Sequence, residues 1–368
     1  MINKMVLSNL LHRPVRTFVS ILAVAIEVSM VLLVVGLTTG TLQETAKRVE
    51  GVGAEIMVQP PGASFLMALT AAPMPVKIGE RLAELPRVYA VAPVLISFNA
   101  SGTGGLNLIY GIDMESFNRV SRGFVYHAGG PFEREFDVIV DDWYAKAHKA
   151  EVGQTINLLS HDFRVVGIVE HGKGSRVFIP LATAQDLFGS KDRASIFYVR
   201  CTDPSFTQLV KKEIRELLPK HEVRPIKEYM SLMTSNNMPA LNSFIAVMIA
   251  VAVSIGFLVI FLSMYTTITE RTREIGILKS LGASRGYIMS VILRETTLVC
   301  LLGIATGVVG TIFAKRAITE ISPTIAILLT VEWAIWASLL ALGGGLLGGI
   351  YPALRAAHAD PVDALGYE

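Results

Sequence analysis

Four long apolar runs dominate the hydropathy pattern of this chain, at residues 17–40, 244–268, 287–314 and 333–354. Each is long enough to cross the hydrocarbon core of a bilayer as a helix, which takes about 20 residues. The third carries Arg294 and Glu295 in its first turns. The first run follows Lys4, Arg13 and Arg16, as a signal peptide would. Its core is about twice a normal signal-peptide length and no small-x-small cleavage site follows convincingly, so it reads as a retained anchor.

Between the first and second runs the pattern changes to short alternating or β-branched stretches: AEIMVQP, VYAVAPVLISF, LNLIYGID, DVIVDD, TINLLSHDFRVVGIVEH and ASIFYVRC. These predict strands, the fifth a hairpin turning at Ser160–Asp162. SFTQLVKKEIRELLP predicts an amphipathic helix with Phe206, Leu209, Val210, Ile214, Leu217 and Leu218 on one face, stopped by Pro219. Glu44, Lys47, Arg48 and Glu50 after the first span suggest that its helix continues outward as a stalk, with PIKEYMSLMTSNNMPALNSF returning beside it. The predicted fold is therefore an α-helical membrane protein of four transmembrane helices, with an extracytoplasmic α+β domain inserted between the first and second. The expected divisions are 1–45 (N-terminal turn, first span and start of the stalk), 46–238 (extracytoplasmic core) and 239–368 (remaining spans and tail).

Composition agrees with this division. Of 368 residues, 52% are hydrophobic and 17% charged, below the roughly one-quarter of soluble domains. The net charge of +2 and the lack of a basic cluster exclude a nucleic-acid-binding role. Basic residues flank the spans unevenly. Lys4, Arg13 and Arg16 precede the first, Arg271, Arg273, Lys279 and Arg285 separate the second from the third, and Arg355 follows the fourth. Only Lys315 and Arg316 lie between the third and fourth. Both termini and the link after the second span are thereby expected in the cytoplasm, and the inserted domain outside it. Cys201 and Cys300 fall in regions that do not meet, so no disulfide framework is expected.

No active-site motif survives scrutiny. GIVEHGKG, residues 167–174, has the glycine–lysine core of a phosphate loop, but Gly174 stands where Ser or Thr should hold Mg²⁺, and the stretch leads into a strand. The histidines lack metal-site spacing, no Gly-x-Ser-x-Gly elbow occurs, and Asp141 and Asp142 read as a turn after a strand. Glu27, mid-way through the first span, costs roughly 2.5–3.5 kcal/mol to insert; a neutral acid bonded across a helix interface and a role in substrate passage or proton coupling both remain open. SFLMALTAAPMP (Phe65, Leu66, Met67 and Leu69 among its apolar residues) reads either as core or dimer packing, or as a substrate-facing lip, with Met230, Met233 and Met238 nearby. Gly303 and Gly307, then Gly344 and Gly348, have the small-residue spacing that lets helices approach closely in lipid.

The link after the second span, ERTREIGILKSLGASRG (270–286), is short and structured. Its charges come first. Ile275, Leu278 and Leu281 then add an apolar stripe, Gly282 is placed as a helix C-cap, and Ser284 can cap the next helix. Helix, tight corner, helix makes a rigid elbow.

Here the sequence resembles a family. ERTREIGILKSLGASRGYI looks like the cytoplasmic segment of MacB/FtsX-type permeases, the four-span subunits of type VII ABC transporters. GGIYPALRAAHADPVDALGYE resembles their closing signature, and NLLHRPVRTFVSILAVAIEVSM their first amphipathic turn and span. VGQTINL, FRVVGIVEH and VFIPLATAQDLFG are similar to the MacB-like periplasmic core domain. The resemblance covers nearly the whole chain.

It implies mechanotransmission: two copies pair, two cytoplasmic ABC ATPase subunits grip the elbow, and the first two spans pass their motion outward. Glu270, Arg271, Arg273, Glu274, Ile275, Leu278 and Gly282 would form the ATPase contact. With no Walker motif present, the chain is expected to be a non-catalytic subunit that binds no cofactor or metal, ATP and Mg²⁺ belonging to the ATPase partner. The other implied partners are a second copy of the chain, membrane lipid and a periplasmic adaptor. The implied location is the bacterial inner membrane. Three outputs fit the family: export or extraction of a hydrophobic or amphipathic substrate, control of a cell-wall hydrolase, and lipoprotein extraction.

Overall fold

The structure, a computed structural model, describes residues 14–63, 72–100, 106–233 and 238–358. Packing divides the chain into two units: Met1–Gly40, Met238–Glu320 and Ile327–Glu368 form one, and Thr41–Asn237 with Ile321–Ala326 the other. Helix α1 (Pro14–Glu50) contributes to both. It outlasts its apolar run by a polar segment that ends at Gly51, whose N–H bonds the Lys47 carbonyl. The division at Thr41 lies inside this helix, a few residues before the position expected from composition.

In the outer unit the alternating runs become strands, in chain order β1 (Ile56–Gln59), β2 (Met74–Pro75), β3 (Val88–Ala100), β4 (Leu106–Ile112), β5 (Tyr126–Gly129), β6 (Asp137–Asp141), β7 (Thr155–Leu158), β8 (His161–Val169), β9 (Val177–Pro180), β10 (Arg193–Ala194), β11 (Ile196–Cys201) and β12 (Glu222–Pro225). They alternate with helices α2 (Lys77–Ala83), α3 (Met114–Ser121), α4 (Asp142–His148), α5 (Leu181–Leu187), α6 (Thr207–Leu217) and α7 (Ile226–Leu232). One sheet has the order β12-β1-β11-β3-β4-β9-β6-β8-β5, with β7 added to β8, and β2 and β10 make a separate ribbon. The β4–β9 and β6–β8 pairs are parallel, and the other strand pairs are antiparallel.

Period-two alternation gives each strand two destinations. Ile56, Val58, Phe197 and Val199 meet Leu82 of α2 and Val210 and Ile214 of α6 in one core. Val140, Val165 and Ile179 meet Tyr144 of α4 and Ala184 of α5 in another. Met57 and Gln59, one register out, turn to the opposite face of the sheet, as do Tyr198 of β11 and Tyr110 of β4.

Three local expectations change. Asp141 and Asp142 do not end in a plain turn: Asp141 caps α4, its Oδ1 accepting the Tyr144 N–H at 2.6 Å. The β7–β8 hairpin turns at Leu159 and Ser160, both at positive φ (54° and 65°), one residue earlier than the polar cluster suggested. On α6 only Val210 and Ile214 are buried, while Phe206 and Leu209 are exposed. Leu217 and Leu218 pack half-buried against the same core, so the expected stripe holds over its C-terminal part and fails at its start. Phe65, Leu66, Met67 and Leu69 lie outside the described residues, and Met233 and Met238 are buried.

The other unit adds α8 (Pro239–Glu270), α9 (Thr272–Ser280), α10 (Arg285–Ile321) and α11 (Val331–His358) to the first part of α1. Helices α1, α8, α10 and α11 are each long and apolar enough to cross a membrane. Each exceeds its predicted apolar run, because backbone hydrogen bonding continues past the residues that suit lipid. Val24, Val28, Ile260, Val299 and Ala341 pack inside the bundle, while Leu22, Ile26, Ile255, Leu258 and Leu339 are exposed. An apolar outside around an apolar inside is the pattern a bilayer demands.

The glycines close two helix pairs. Gly303 and Gly307 of α10 lie against Val24 and Ala25 of α1, and Gly344 and Gly348 of α11 against Val253 and Phe257 of α8. A Cβ at Gly348 would sit 2.8 Å from the Phe257 carbonyl oxygen, so a larger residue forces these backbones apart. Glu27 is buried against Gly256 of α8, in the space a side chain there would occupy. Its Oε1 has no hydrogen-bond partner among the described residues.

Candidate coupling site

The link after α8 is the short helix α9; the link bonds α10 and α11, while α1 holds the end of α8 just before it. Arg16 of α1 donates to Thr267 Oγ1 (3.1 Å) and pairs with Glu270 (2.6 Å) at the end of α8. Arg271, at the break between α8 and α9, contacts Glu274 at 2.8 Å and Glu295 of α10 at 3.6 Å. Lys279 Nζ donates to the Ala357 carbonyl of α11 at 3.0 Å. Nearby, Arg355 donates to Tyr265 Oη and stacks over its ring.

The corner after α9 has the chemistry its sequence specifies. Gly282 has φ +95°, a left-handed conformation that costs glycine nothing. The Ala283 N–H bonds the Leu278 carbonyl across the turn, and Ser284 Oγ accepts the Tyr287 N–H at 3.2 Å to start α10. Beneath the corner Ile275 packs on a small core of Ile268, Ile288, Ile292 and Ala353. Leu278 and Glu295 line a recess of about 40 Å³ there.

The expected coupling residues thus separate by role. Glu270, Arg271, Ile275 and Leu278 face the unit's own helices, and Gly282 shapes the corner. Arg273 and Glu274 are exposed. Leu281 does not continue the inward stripe: it is 80% exposed, and Ile277, one turn before it, is 45% exposed. Together Arg273, Glu274, Ile277 and Leu281 give α9 an outward face of two apolar side chains rimmed by charge. Helical spacing of four between Ile277 and Leu281 was the available signal, masked by the equally regular spacing of Ile275, Leu278 and Leu281. The roles of Arg16, Glu295 and Lys279 had no local signal, since their partners are distant in sequence.

The outer unit holds a second polar cluster. Arg176 lies 3.2 Å from Glu44 and 3.6 Å from Asp141, with its guanidinium over the Trp143 ring. Burial raises the Asp141 carboxyl to about 6 against the opposing pull of Arg176. The glycine–lysine stretch at 167–174 leads into β9, not into a helix, and Lys173 Nζ donates to the Ser121 carbonyl at 2.6 Å.

Comparison with known proteins places these features among relatives. The family described as MacB-like periplasmic core domain matches residues 17–217, and the FtsX-like permease C-terminal family matches residues 246–361. A macrolide export ATP-binding/permease protein, MacB 1 of Aeromonas hydrophila, is 27% identical over 372 residues, covering 94% of this chain and 57% of its own length. The MacB protein of Pectobacterium atrosepticum is 24% identical over 395 residues, covering 99% of this chain and 60% of its own. The chain therefore spans 57–60% of the length of these relatives. Among solved structures, the periplasmic region of MacB from Actinobacillus actinomycetemcomitans is similar, with 16% identity and a TM-score of 0.39, covering 50% of this chain and 95% of that one.

Proposed function

Because the chain belongs to the MacB/FtsX-type permeases, a family of ABC-transporter permeases, we propose that it transmits the motion of a cytoplasmic ATPase to its extracytoplasmic domain. The work done there is export or extraction of a hydrophobic or amphipathic substrate. The observation that carries this reading is the elbow: a nine-residue helix tied to α10 and α11, with the α8 end that leads into it held by α1, yet showing Ile277 and Leu281 outward. A solvated loop tip has no use for two exposed aliphatic residues beside charge, whereas a docking surface does. A partner that pulls on α9 pulls at once on α1 through Arg16–Glu270, on α10 through Arg271–Glu295 and on α11 through Lys279. ATP and Mg²⁺ belong to that ATPase, two copies of which act on two copies of this chain. The domain outside the cytoplasm, and a periplasmic adaptor beyond it, receive the motion.

The test places a photo-crosslinking residue at position 277 or 281 of the full chain in native membranes and identifies what it captures. An ABC-type ATPase is expected. Glu274→Lys and Leu281→Asp should then weaken its binding by about tenfold or more and abolish coupled activity, while leaving the chain's own unfolding temperature unchanged. Capture of no ATPase, or normal binding and coupling in Glu274→Lys, overturns the reading.

A further inference from the structure

The outer unit contains a cavity of about 230 Å³ that the coupling mechanism does not use. Its floor is the sheet face opposite the α2–α6 core, where β1, β11, β3 and β4 each turn two alternate residues inward; its cover is one face of α1, with Arg48 and Val49. The walls are mostly apolar, Met57 and Leu108 among them.

Six of the lining residues are polar: Thr45, Arg48, Gln59, Tyr110, Tyr198 and Tyr229. Tyr110 Oη and Tyr198 Oη, both buried, share a hydrogen bond of 3.1 Å. One hydroxyl donates to the other, so the second keeps an O–H for a further acceptor. Burial holds both phenols above their ordinary range, hence neutral. Gln59, only 3% exposed, lines the same space with an Oε1 that has no hydrogen-bond partner among the described residues. A buried acceptor left unpaired costs about 1–3 kcal/mol, so a donor entering this space gains that much. Arg48 brings no net charge because it belongs to a cluster of two bases and two acids: Glu44 lies 3.3 Å from its Nε and 3.2 Å from Arg176, which faces Asp141 at 3.6 Å.

We propose that this cavity is a binding site for a small uncharged amphiphile, a single-ring or short-chain apolar body carrying one hydroxyl. The hydroxyl donates to Gln59 Oε1 and accepts from the tyrosine pair, and the apolar body fills the space among Met57, Leu108 and the helix cover. Size sets the limit: a cavity near 150 Å³ accommodates benzene, so this one takes a substituted ring or a chain of similar bulk. A bound anion is disfavoured by the neutral phenols and the compensated arginine. Since Arg48 and Val49 belong to α1, an occupant bears directly on the last turns of that helix.

The experiment uses the full chain in lipid nanodiscs, without any ATPase, so its outcome is independent of the coupling reading. Binding of 4-fluorophenol is followed by fluorine NMR line broadening and corrected against empty nanodiscs. Saturable binding is expected at or below about 10 mM, the range for a ligand of so few atoms. Fluorobenzene, which lacks the donor, should bind about tenfold more weakly. Gln59→Leu should weaken 4-fluorophenol by a similar factor, and Leu108→Trp, which fills the cavity, should remove binding. If the tryptophan variant fails to fold, the nearly isosteric leucine variant still decides. No saturation above empty nanodiscs, or equal binding to wild type and Gln59→Leu, overturns the proposal.

Discussion

Arg271 Nη1 lies 3.6 Å from Glu295 Oε2, joining the break between two helices to the third span. Glu295 is buried, with a side chain only 8% exposed, and Arg271 is one of its partners. In the nearer Arg271–Glu274 pair the carboxylate is mostly in solvent, 64% exposed, and the pair contributes little by comparison.

Arg271→Met should therefore destabilise the unit by ~3 kcal/mol, because it removes an opposite charge from beside a buried carboxylate. The double variant Arg271→Met, Glu295→Met should cost much less, since the buried charge and its counter-charge are then removed together. A double-mutant cycle of detergent unfolding measures this. Additive losses would show that the two side chains act independently.

Gly282 tests the rigidity of the corner. Its φ of +95° is strained for any side chain although nothing crowds the position. Gly282→Val should cost about 1–2 kcal/mol and reduce coupled activity more than ATPase binding, because the docking face of α9 remains intact. Measuring binding and coupling on the same variant separates the two; a parallel loss would place Gly282 in the contact itself.

Glu27 and Gly256 make a size-matched pair inside the bundle. Glu27→Gln preserves shape and should fold with a change below ~1 kcal/mol. Gly256→Val has no room and should cost at least ~2 kcal/mol through forced separation of α1 from α8. Unfolding temperatures of the two variants check this. If Glu27→Gln proves as damaging as Gly256→Val, the carboxyl itself, not its volume, is what the bundle requires.

Asp141 predicts a pH response in the outer unit. Its folded-state carboxyl is raised to about 6 by burial, above the ordinary value of 3.8. Between about pH 4 and 6 the folded chain therefore keeps a proton that the unfolded chain has lost. Stability is highest below this window and falls as pH rises through it, by up to ~3 kcal/mol. Asp141→Asn retains the helix cap and should flatten the slope. Hydrogen exchange of the amides in residues 137–150, measured across that window, compares the two; an unchanged slope in the variant would assign the response elsewhere.

What the sequence determined by itself follows from local physics. The four spans were legible because length and apolarity alone decide what enters a bilayer. The strands around Ile56, Val91 and Phe197 were legible because alternation has a period of two. The corner at Gly282 and Ser284 was legible because left-handed backbone and helix caps select particular residues. The tertiary structure alone decided what depends on partners far apart in sequence. Arg16 was a topological charge until it met Glu270, Glu295 an oddity until it met Arg271, and Lys279 an inside charge until it met the Ala357 carbonyl. Leu281 had the spacing to face inward, yet the turn at Gly282 leaves it exposed. The cavity under α1 is of the same kind: Gln59, Tyr110 and Tyr198 come from three strands that share no motif. Strand order within the sheet brings them to one face, and no short stretch of sequence encodes that order.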